Sequence, residues 1–442
     1  MMSFSLKDIL RMEVAPALGC TEPSAIALAS AAAASILPSR SPENIEIWVD
    51  PNIYKNAFAV SIPGTGGESG LGLAAALGAL GGDPTRGLEV LETVGVDSLE
   101  KAGSLMERDG VRTNLLSDHR GLFVRAVVTS SGHTAEAVIE EVHDNITRLS
   151  LDGNDLSDHP LIQGIKGEQQ TLQQLEGWLR DLKLKDLMAL LENLDDEDLR
   201  FLRKGIEFNR KLARHGLKHG SGLGIGLGLE KLAREGLIGR DMILSARILT
   251  SSAADARMSG VKLPAMSSGG SGNHGLTAIL PIVAVSEFVE GDKDLVLKAV
   301  ALSHLVTAYV KAFTGRLSAI CGCSVAAGAG AAAGVTFLLG GSLEQIAGAI
   351  KNIIGDLAGV ICDGAKASCA MKLATAAGTA VQAGLLSIHG IFVQPTDGII
   401  GLTPEQTMEN VGTLSVEGMI EADRAILGIM IEKHLHGLEN ER

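Results

Sequence analysis

The residues best suited to chemistry in this chain are five cysteines, and four of them stand close together in two segments rich in Ala and Gly. Cys321 and Cys323 belong to the first segment, Cys362 and Cys369 belong to the second, and Cys20 lies some 300 residues upstream. Cysteines in such apolar surroundings are either small buried hydrophobic residues or ligands of a soft metal. The rest of the sequence has to decide between these two roles.

The spacing of the cysteines matches no common metal motif. Zinc sites use C-x2-4-C pairs or nearby histidines, ferredoxins use runs such as C-x2-C-x2-C, and neither pattern is present. On a helix, Cys362 and Cys369 would share a face but lie about 10 Å apart, and Cys321 and Cys323 would point in different directions. Spacing therefore favours buried thiols, and it leaves a set of three thiolates, one from each segment, as the alternative.

Two glycine-rich stretches resemble nucleotide-binding loops, but neither has the residues that such a loop requires. Residues 222–226 do not follow a strand as a dinucleotide fingerprint requires, and no Walker lysine follows either stretch. The turn Gly64, Thr65 and Gly66 comes just before a predicted helix, where free backbone N–H groups bind anions. We expect close packing at residues 222–226 and a carboxylate site at the Gly64 turn.

A second polar loop, residues 266–275, leads into a strongly apolar stretch. It carries Ser268, Ser271, Asn273 and His274, so it places polar groups at the start of a buried helix. His274 is either structural or in contact with a ligand, and the sequence leaves both roles open.

The composition predicts a large core built from small side chains. The 442 residues are 46% hydrophobic but only 3% aromatic, and they include 54 glycines. Helices with small residues at their contacts can approach closely, and the length suits two structural units.

Several functional classes are disfavoured. The net charge of -14 comes without a basic patch, which argues against nucleic-acid binding. The N-terminus lacks the pattern of a signal peptide, and an odd number of cysteines in a long chain does not indicate a disulfide framework. We therefore expect a cytoplasmic protein.

The uncharged segment 317–341 is long enough to cross a bilayer, but its small residues favour a buried helix over a membrane span.

The hydrophobic periodicity predicts an α+β fold. Helices are expected near both ends of the chain and over residues 85–109 and 172–214. Strands are expected at residues 45–50, 57–62, 111–116, 122–129, 133–139 and 146–151. The predicted layout is a helical unit, residues 1–37 and 205–442, with an inserted mixed α/β sheet unit, residues 38–204, that closes over the site.

Six motifs in order resemble one family over nearly the whole chain. They are LGCTEP at residues 18–23, DPNIYKN at 50–56, IPGTG at 62–66, SGGSGNHG at 268–275, CGC at 321–323 and ICDGAK at 361–366. Together they are similar to the L-cysteine desulfidase family, which is related to the iron–sulfur L-serine dehydratases and whose uncharacterised members are often called UPF0597.

The resemblance implies a [4Fe-4S] cluster held by three cysteines, with the fourth iron open for substrate. The motifs assign this role to Cys20, Cys323 and Cys362, with Cys321 and Cys369 in reserve. Cys323 is preferred because related dehydratases place their cysteine in a similar Gly-Cys pair that opens an Ala/Gly-rich helix.

The implied activity is that of a carbon–sulfur lyase that works without pyridoxal phosphate and converts L-cysteine to pyruvate, ammonia and sulfide. The alternatives are an L-serine dehydratase and an inactive, metal-free binding or structural homologue. An apolar, close-packed surface would be compatible with a homodimer.

The shared motifs also contain the candidate site residues. Lys55, Glu22, His274 and Lys366 are candidates for the base that removes the α-proton, and Lys55 is favoured because it is predicted at a strand start where it could close over the cluster. Lys55 and Lys366 could equally form ordinary ion pairs. The predicted substrate-binding residues are Asn56, Gly64, Thr65, Gly66, Ser268, Ser271 and Asn273.

Overall fold

The computed structural model describes residues 4–162, 168–290, 292–315 and 318–440. The helices are α1 (Leu6–Glu13), α2 (Thr21–Ser35), α3 (Pro51–Ala57), α4 (Leu71–Gly81), α5 (Val96–Glu107), α6 (Glu168–Asp181), α7 (Leu184–Leu190), α8 (Asp196–His219), α9 (Ile225–Arg234), α10 (Met242–Met258), α11 (Gly272–Val285), α12 (Lys293–Thr314), α13 (Ala326–Leu338), α14 (Leu343–Leu357), α15 (Cys369–Ile388), α16 (Pro404–Thr413) and α17 (Ile420–Asn440). The strands are β1 (Pro16–Leu18), β2 (Asn44–Val49), β3 (Val111–Leu115), β4 (Phe123–Ser130), β5 (His133–Glu140), β6 (Ile146–Leu151), β7 (Asn154–Asp155) and β8 (Pro264–Met266). The predicted α+β class is confirmed.

The larger sheet has six strands in the order β3-β2-β4-β5-β6-β7. The β2–β3 pair is parallel and the remaining pairs are antiparallel. Burial alternates along β4, where Val124, Ala126 and Val128 are fully buried. This alternation is the one expected of a sheet with a single covered face, and it confirms the four predicted strands between residues 111 and 151.

Two hydrophobic cores divide the protein. One contains the inner face of the large sheet together with α2 and α4, and the other contains α11 to α16 with parts of α1 and of α6 to α8. Helix α2 therefore packs with the sheet, although the sequence predicts it within the helical unit. Helices α6 and α7 pack with the helical core, although the predicted sheet unit extends to residue 204.

Small residues bring the helices close together, as their abundance predicts. A Cβ built on Gly78 of α4 would lie 2.1 Å from the carbonyl oxygen of Ala27 in α2. A Cβ on Gly330 of α13 would lie 2.4 Å from the carbonyl oxygen of Ser303 in α12. At both crossings the backbones are too close for any residue but glycine.

The strand predicted at residues 57–62 is wrong. Asp50 caps α3 by accepting hydrogen bonds from the backbone N–H groups of Asn52 and Ile53, at 2.7 and 3.2 Å. Pro51 occupies the first helical turn. An Asp cap followed by Pro is a strong helix start, so Lys55 is helical and does not begin a strand. Residues 57–62 contribute only an isolated bridge, between Ser61 and Ser69.

Among the described residues, one helix is long and apolar enough to span a membrane. It is α12, and 83% of its most apolar 18-residue window is buried inside the protein, as in the core helices of soluble proteins. The uncharged segment predicted at residues 317–341 contains α13, which has only 13 residues. Residue 317 lies outside the described residues.

A two-stranded ribbon joins the N-terminal segment to the middle of the chain near the site. β1 pairs antiparallel with β8, so that Pro16 faces Met266 and Leu18 faces Pro264. Cys20 follows β1 directly, and the polar loop 266–275 follows β8. The ribbon therefore places these two predicted site segments next to each other.

Candidate active site

All five cysteines line one buried cavity of about 90 Å³. None of them forms a disulfide. Each of the three cysteine-containing segments contributes to the wall, together with the start of α11. The thiols that are far apart in the sequence thus share one small chamber.

The two paired cysteine segments are joined by their backbones. Ile320 and Ile361 form an antiparallel bridge, the N–H of Cys321 donates to the carbonyl of Val360 at 2.8 Å, and that of Cys362 donates to the carbonyl of Ala319 at 2.6 Å. These residues lie in turns before α13 and α15, and not on helices as the spacing argument assumed. The turns give successive side chains different directions, and Cys369 is the first residue of α15, so both cysteines of each segment reach the cavity.

The third segment is held by the glycine-rich turn at residues 63–67. Gly19 has φ +72°, and a Cβ on it would lie 2.4 Å from Cγ of Pro63. Cys20 follows as the N-cap of α2, and its thiol donates to Oε2 of Glu22 at 2.9 Å. Glu22 therefore holds the Cys20 side chain at the cavity wall.

The cysteine thiols differ in how readily they ionise. Hydrogen-bond donation by Cys323 lowers the pKa of Cys321 to about 6, against the opposing effect of burial. The same hydrogen bond, followed by burial, raises the pKa of Cys323 well above its usual range. Burial raises the pKa of Cys369 to about 11 and also raises those of Cys20 and Cys362. Without a metal, the negative charge of this group is therefore favoured on Cys321.

His274 is a neutral histidine inside the cavity. Burial, followed by the nearby positive charge of Lys311, lowers its pKa to about 3. Its Nδ1 lies 3.2 Å from the carbonyl oxygen of Ser268, which only a protonated Nδ1 can bond. Nε2 then carries the lone pair, and it faces the backbone of Gly322, where an added Cβ would lie 2.5 Å away.

The structure brings together eight of the predicted site residues. The ones that line the cavity are Cys20, Cys323, Cys362, Glu22, His274, Asn56, Ser271 and Asn273. Ser268 lies one layer behind, where its hydroxyl is 2.9 Å from Nδ1 of His304. Ser268 therefore supports the ring of His274 through its carbonyl and does not line the cavity.

Two predicted bases do not line the cavity. Lys55 is 1% exposed and pairs with Oδ1 of Asp423 at 2.5 Å. Lys366 pairs with Oδ1 of Asp363 at 2.5 Å and also donates to two backbone carbonyls of its own loop. Both lysines thus form the ion pairs that the sequence left open as their other role.

The predicted carboxylate site at Gly64, Thr65 and Gly66 does not line the cavity either. The N–H of Gly64 donates to the carbonyl of Gly260 and that of Thr65 donates to the carbonyl of Ile62. The Thr65 hydroxyl also donates to the Ile62 carbonyl, at 2.8 Å. These groups are used within the fold, and the turn positions Cys20 through Pro63.

Four charged or titratable residues of the cavity wall are absent from the sequence-based prediction: His143, Arg257, Lys311 and Lys372. Nε2 of His143 lies 3.9 Å from Oε1 of Glu22. No local pattern marks Arg257 or Lys311, because their helices, α10 and α12, carry other charged residues as well. No sequence signal marks His143, since it lies in a turn between two strands.

The donor set fits an iron–sulfur cluster better than a single metal ion. Within the described ranges, no three His, Cys, Asp or Glu residues are grouped closely enough to hold one ion. In a cluster each cysteine binds a different iron, so thiols spread around a chamber remain suitable. Cys20, Cys323 and Cys362, one from each segment, would hold such a cluster, and the cation Lys372 in the cavity wall would offset its negative charge.

Comparison with known proteins identifies the family of this chain. The family model described as "Serine dehydratase alpha chain" matches residues 85–428. A "UPF0597 protein" of Desulfatibacillum aliphaticivorans is 60% identical over 434 residues, 98% of this chain and 99% of that protein. UPF0597 proteins of Desulfotalea psychrophila and Clostridioides difficile are 55% and 44% identical, over 99% and 96% of this chain and 100% and 98% of their own lengths. The chain therefore belongs to the UPF0597 family and contains a serine dehydratase-like domain.

Proposed function

We propose that this protein catalyses an iron–sulfur-dependent α,β-elimination on a small amino acid, with L-cysteine as the substrate and pyruvate, ammonia and sulfide as the products. The observation that carries the proposal is the convergence of five free thiols from three distant segments on one buried cavity. Its chemical class agrees with the serine dehydratase-like domain of the family.

The proposed cofactor is a [4Fe-4S] cluster bound by Cys20, Cys323 and Cys362, with Cys321 and Cys369 as the alternative ligands. When bound, a cluster with one iron free of protein ligands supplies a Lewis acid for the departing β-substituent. The pyridoxal-independent route needs no lysine as a Schiff base.

The protein's own part is to take the α-proton and to stabilise the charge that remains. A base must lie within hydrogen-bond reach of that proton, so we propose Glu22, which lines the cavity, ahead of Lys55 and Lys366. His274 also lines the cavity and ranks second, because its pKa of about 3 makes it a weak base. The proton passes to the base, the electron pair of the Cα–H bond forms the Cα–Cβ double bond, and the β-substituent leaves with its bonding pair. Water then converts the aminoacrylate to pyruvate and ammonia.

The second candidate is an L-serine dehydratase. The description of the matching family model favours it. Both reactions would share the base and the cofactor, and they differ only in whether sulfide or hydroxide leaves. Product analysis, and not geometry, separates them.

Anaerobic reconstitution with iron and sulfide tests the proposal. We expect about four irons for each chain, a visible spectrum that changes with L-cysteine, and stoichiometric release of sulfide and pyruvate. Cys20→Ser, Cys323→Ser and Cys362→Ser should each lose most of the iron and the activity, whereas Cys321→Ser and Cys369→Ser, at the alternative ligands, should keep more of both. Wild-type protein that takes up no iron, or turnover that survives all three substitutions, would refute the proposal. Pyruvate from L-serine without sulfide from L-cysteine would establish the second candidate.

The cellular compartment and the assembly state are further proposals. We propose a cytoplasmic protein that forms a homodimer. Cell fractionation tests the first statement, and light scattering of the purified protein, with a monomer mass as the contradicting result, tests the second.

A further inference from the structure

Arg257 is a buried cation whose hydrogen-bonding capacity is only partly used. It is 2% exposed and lines the cavity. Nη1 donates to Oδ1 of Asn273 at 2.8 Å and Nη2 donates to the carbonyl of Gly19 at 2.5 Å. Its Nε has no hydrogen-bond partner within the described part of the chain. Both partners are neutral, so the positive charge is left without a counter-ion there.

Two acidic residues of this region are directed to other groups and neither bonds the guanidinium, although Oδ1 of Asp255 has no hydrogen-bond partner of its own among the described residues. Asp255, two residues earlier in α10, accepts a hydrogen bond from the backbone N–H of Gly226 at 3.1 Å. Oε2 of Glu22 accepts from the thiol of Cys20 and from the hydroxyl of Thr21. Because an unpaired buried charge costs several kcal/mol, the guanidinium is better explained if an anion completes its coordination.

The start of α11 lies beside this guanidinium and also favours an anion. Ser271 is the N-cap residue and makes no capping hydrogen bond through its side chain. The first N–H groups of a helix have no acceptor within the helix, and the helix dipole makes this end positive. Ser271 and Asn273 both line the cavity.

Gly272 keeps the guanidinium and the helix start in contact. A Cβ at this position would lie 2.5 Å from Nε and 2.7 Å from Cζ of Arg257. Any side chain there would push the guanidinium away from α11. The glycine therefore allows the Arg257 guanidinium and the first backbone N–H groups of α11 to lie side by side in one wall of the cavity.

We propose that Arg257, together with the start of α11, binds the α-carboxylate of the amino-acid substrate. The inference rests on the proposed elimination, because that reaction supplies the amino-acid ligand. A carboxylate held at this wall directs Cα and Cβ into the chamber lined by Cys321, Cys323 and Cys362. The same contact stabilises the negative charge that spreads onto the carboxylate when the α-proton leaves. Bidentate recognition of a carboxylate is the geometry to which arginine is best suited.

The experiment compares two thiol ligands that differ in their carboxylate. 3-Mercaptopropionate has a carboxylate and no amine, and cysteamine has an amine and no carboxylate. Binding to the anaerobically reconstituted protein is followed by the change in its visible spectrum. We expect Arg257→Gln to weaken the binding of 3-mercaptopropionate by about 10²-fold, which corresponds to the loss of one charge-assisted hydrogen bond. The affinity for cysteamine should change by less than about 3-fold.

The companion variants separate binding from folding and from cluster retention. Arg257→Lys keeps the charge and should recover part of the affinity, and Gly272→Ala should weaken 3-mercaptopropionate selectively by displacing the guanidinium. Arg247→Gln, in the same helix but outside the cavity, is the matched control and should bind both ligands like the wild type. Iron content and thermal unfolding are measured for every variant. Equal weakening of both ligands, or loss of iron alone from Arg257→Gln, would overturn the proposal in favour of a role toward the cluster.

A titration of metal-free protein keeps this inference distinct from the proposed function. If the wild type takes up no cluster, the elimination reaction is refuted. Isothermal titration of metal-free wild type and Arg257→Gln with 3-mercaptopropionate then decides the carboxylate site by itself. Tighter binding by the wild type supports the site, and equal binding or no binding by the two proteins overturns it.

Discussion

Lys55 and Arg257 are two buried cations with opposite surroundings. Lys55 is 1% exposed and lies in α3, where its ammonium pairs with Asp423 from α17. Arg257 is 2% exposed and lies in α10, where its guanidinium bonds only neutral acceptors and faces the cavity. Burial alone does not distinguish the two residues, but the chemistry of their partners does.

The difference teaches which buried charges to assign to a ligand. A buried cation with a carboxylate partner is already neutralised, and its removal leaves the carboxylate without a counter-ion. A buried cation that faces a cavity with unused hydrogen-bond donors gains its counter-ion only when a ligand binds. Such a residue is a candidate for function. By this rule Lys55 joins α3 to α17, and Arg257 belongs to the site.

The largest effect that tests this comparison is expected from Asp423→Asn. The change leaves the buried Lys55 ammonium without its counter-ion, and it should lower the free energy of unfolding by about 3 kcal/mol, the lower end of the cost of breaking a buried pair. Lys55→Met should cost less, because the Asp423 side chain is 24% exposed and can be hydrated. Chemical denaturation of the three proteins measures both values. Equal stability of Asp423→Asn and wild type would show that the pair does not hold α17 in place.

A smaller effect is expected from Asp50, the carboxylate that caps the Lys55 helix. Burial raises its pKa to about 6, against the opposing hydrogen bonds from Phe123, Ile53 and Asn52. The folded protein therefore holds this proton more tightly than the unfolded chain, and the stability that protonation contributes is present below about pH 4 and is lost as pH rises through 6. Asp50→Asn is neutral and still caps, so its stability relative to wild type should rise by about 2 kcal/mol between pH 4 and pH 7.

An exposed cap gives the control for this pH dependence. Asp83 caps the helical turns Pro84–Thr93, and hydrogen bonds from Thr85 lower the pKa of its carboxyl. The stability of Asp83→Asn relative to wild type should therefore fall, and not rise, as pH increases through the acidic range. A flat pH profile for Asp50→Asn would contradict the elevated pKa of Asp50.

The sequence predicted most of the fold because local patterns determine it. Alternation identified the strands from β3 to β6, and the helices expected near both ends of the chain are present. The same physics explains the error at residues 57–62, where Asp50 and Pro51 start a helix. Packing partners were harder to predict, since nothing local in α2 says that it lies against the sheet.

The sequence predicted the site from its cysteines, but it did not predict the side-chain directions that the turns determine. A helical geometry assigned only one cysteine to each segment, whereas the turns before α13 and α15 bring Cys321, Cys323 and Cys362 to the cavity, where Cys369 at the start of α15 joins them. The Gly64 turn and the loop 266–275 are both rich in glycine and polar residues, and their positions relative to the cavity become clear only in the folded protein. Arg257 escaped prediction because the loss of a counter-ion is a property of three-dimensional packing.

The smallest effect is expected from Lys366, a cation that resembles Lys55 in its pairing and differs in its exposure. Lys366 and Asp363 are 25% and 34% exposed, and Asp363 also pairs with Lys372. Lys366→Met should therefore cost less than about 1 kcal/mol, since Asp363 keeps a second cation, and it should leave any elimination activity within about 3-fold of wild type. Lys372→Met is the matched substitution, because Lys372 lines the cavity and its loss should reduce iron retention measurably. If Lys366→Met instead abolished turnover with the cluster intact, then a paired lysine outside the cavity would be the base, and the rule drawn from Lys55 and Arg257 would fail at this site.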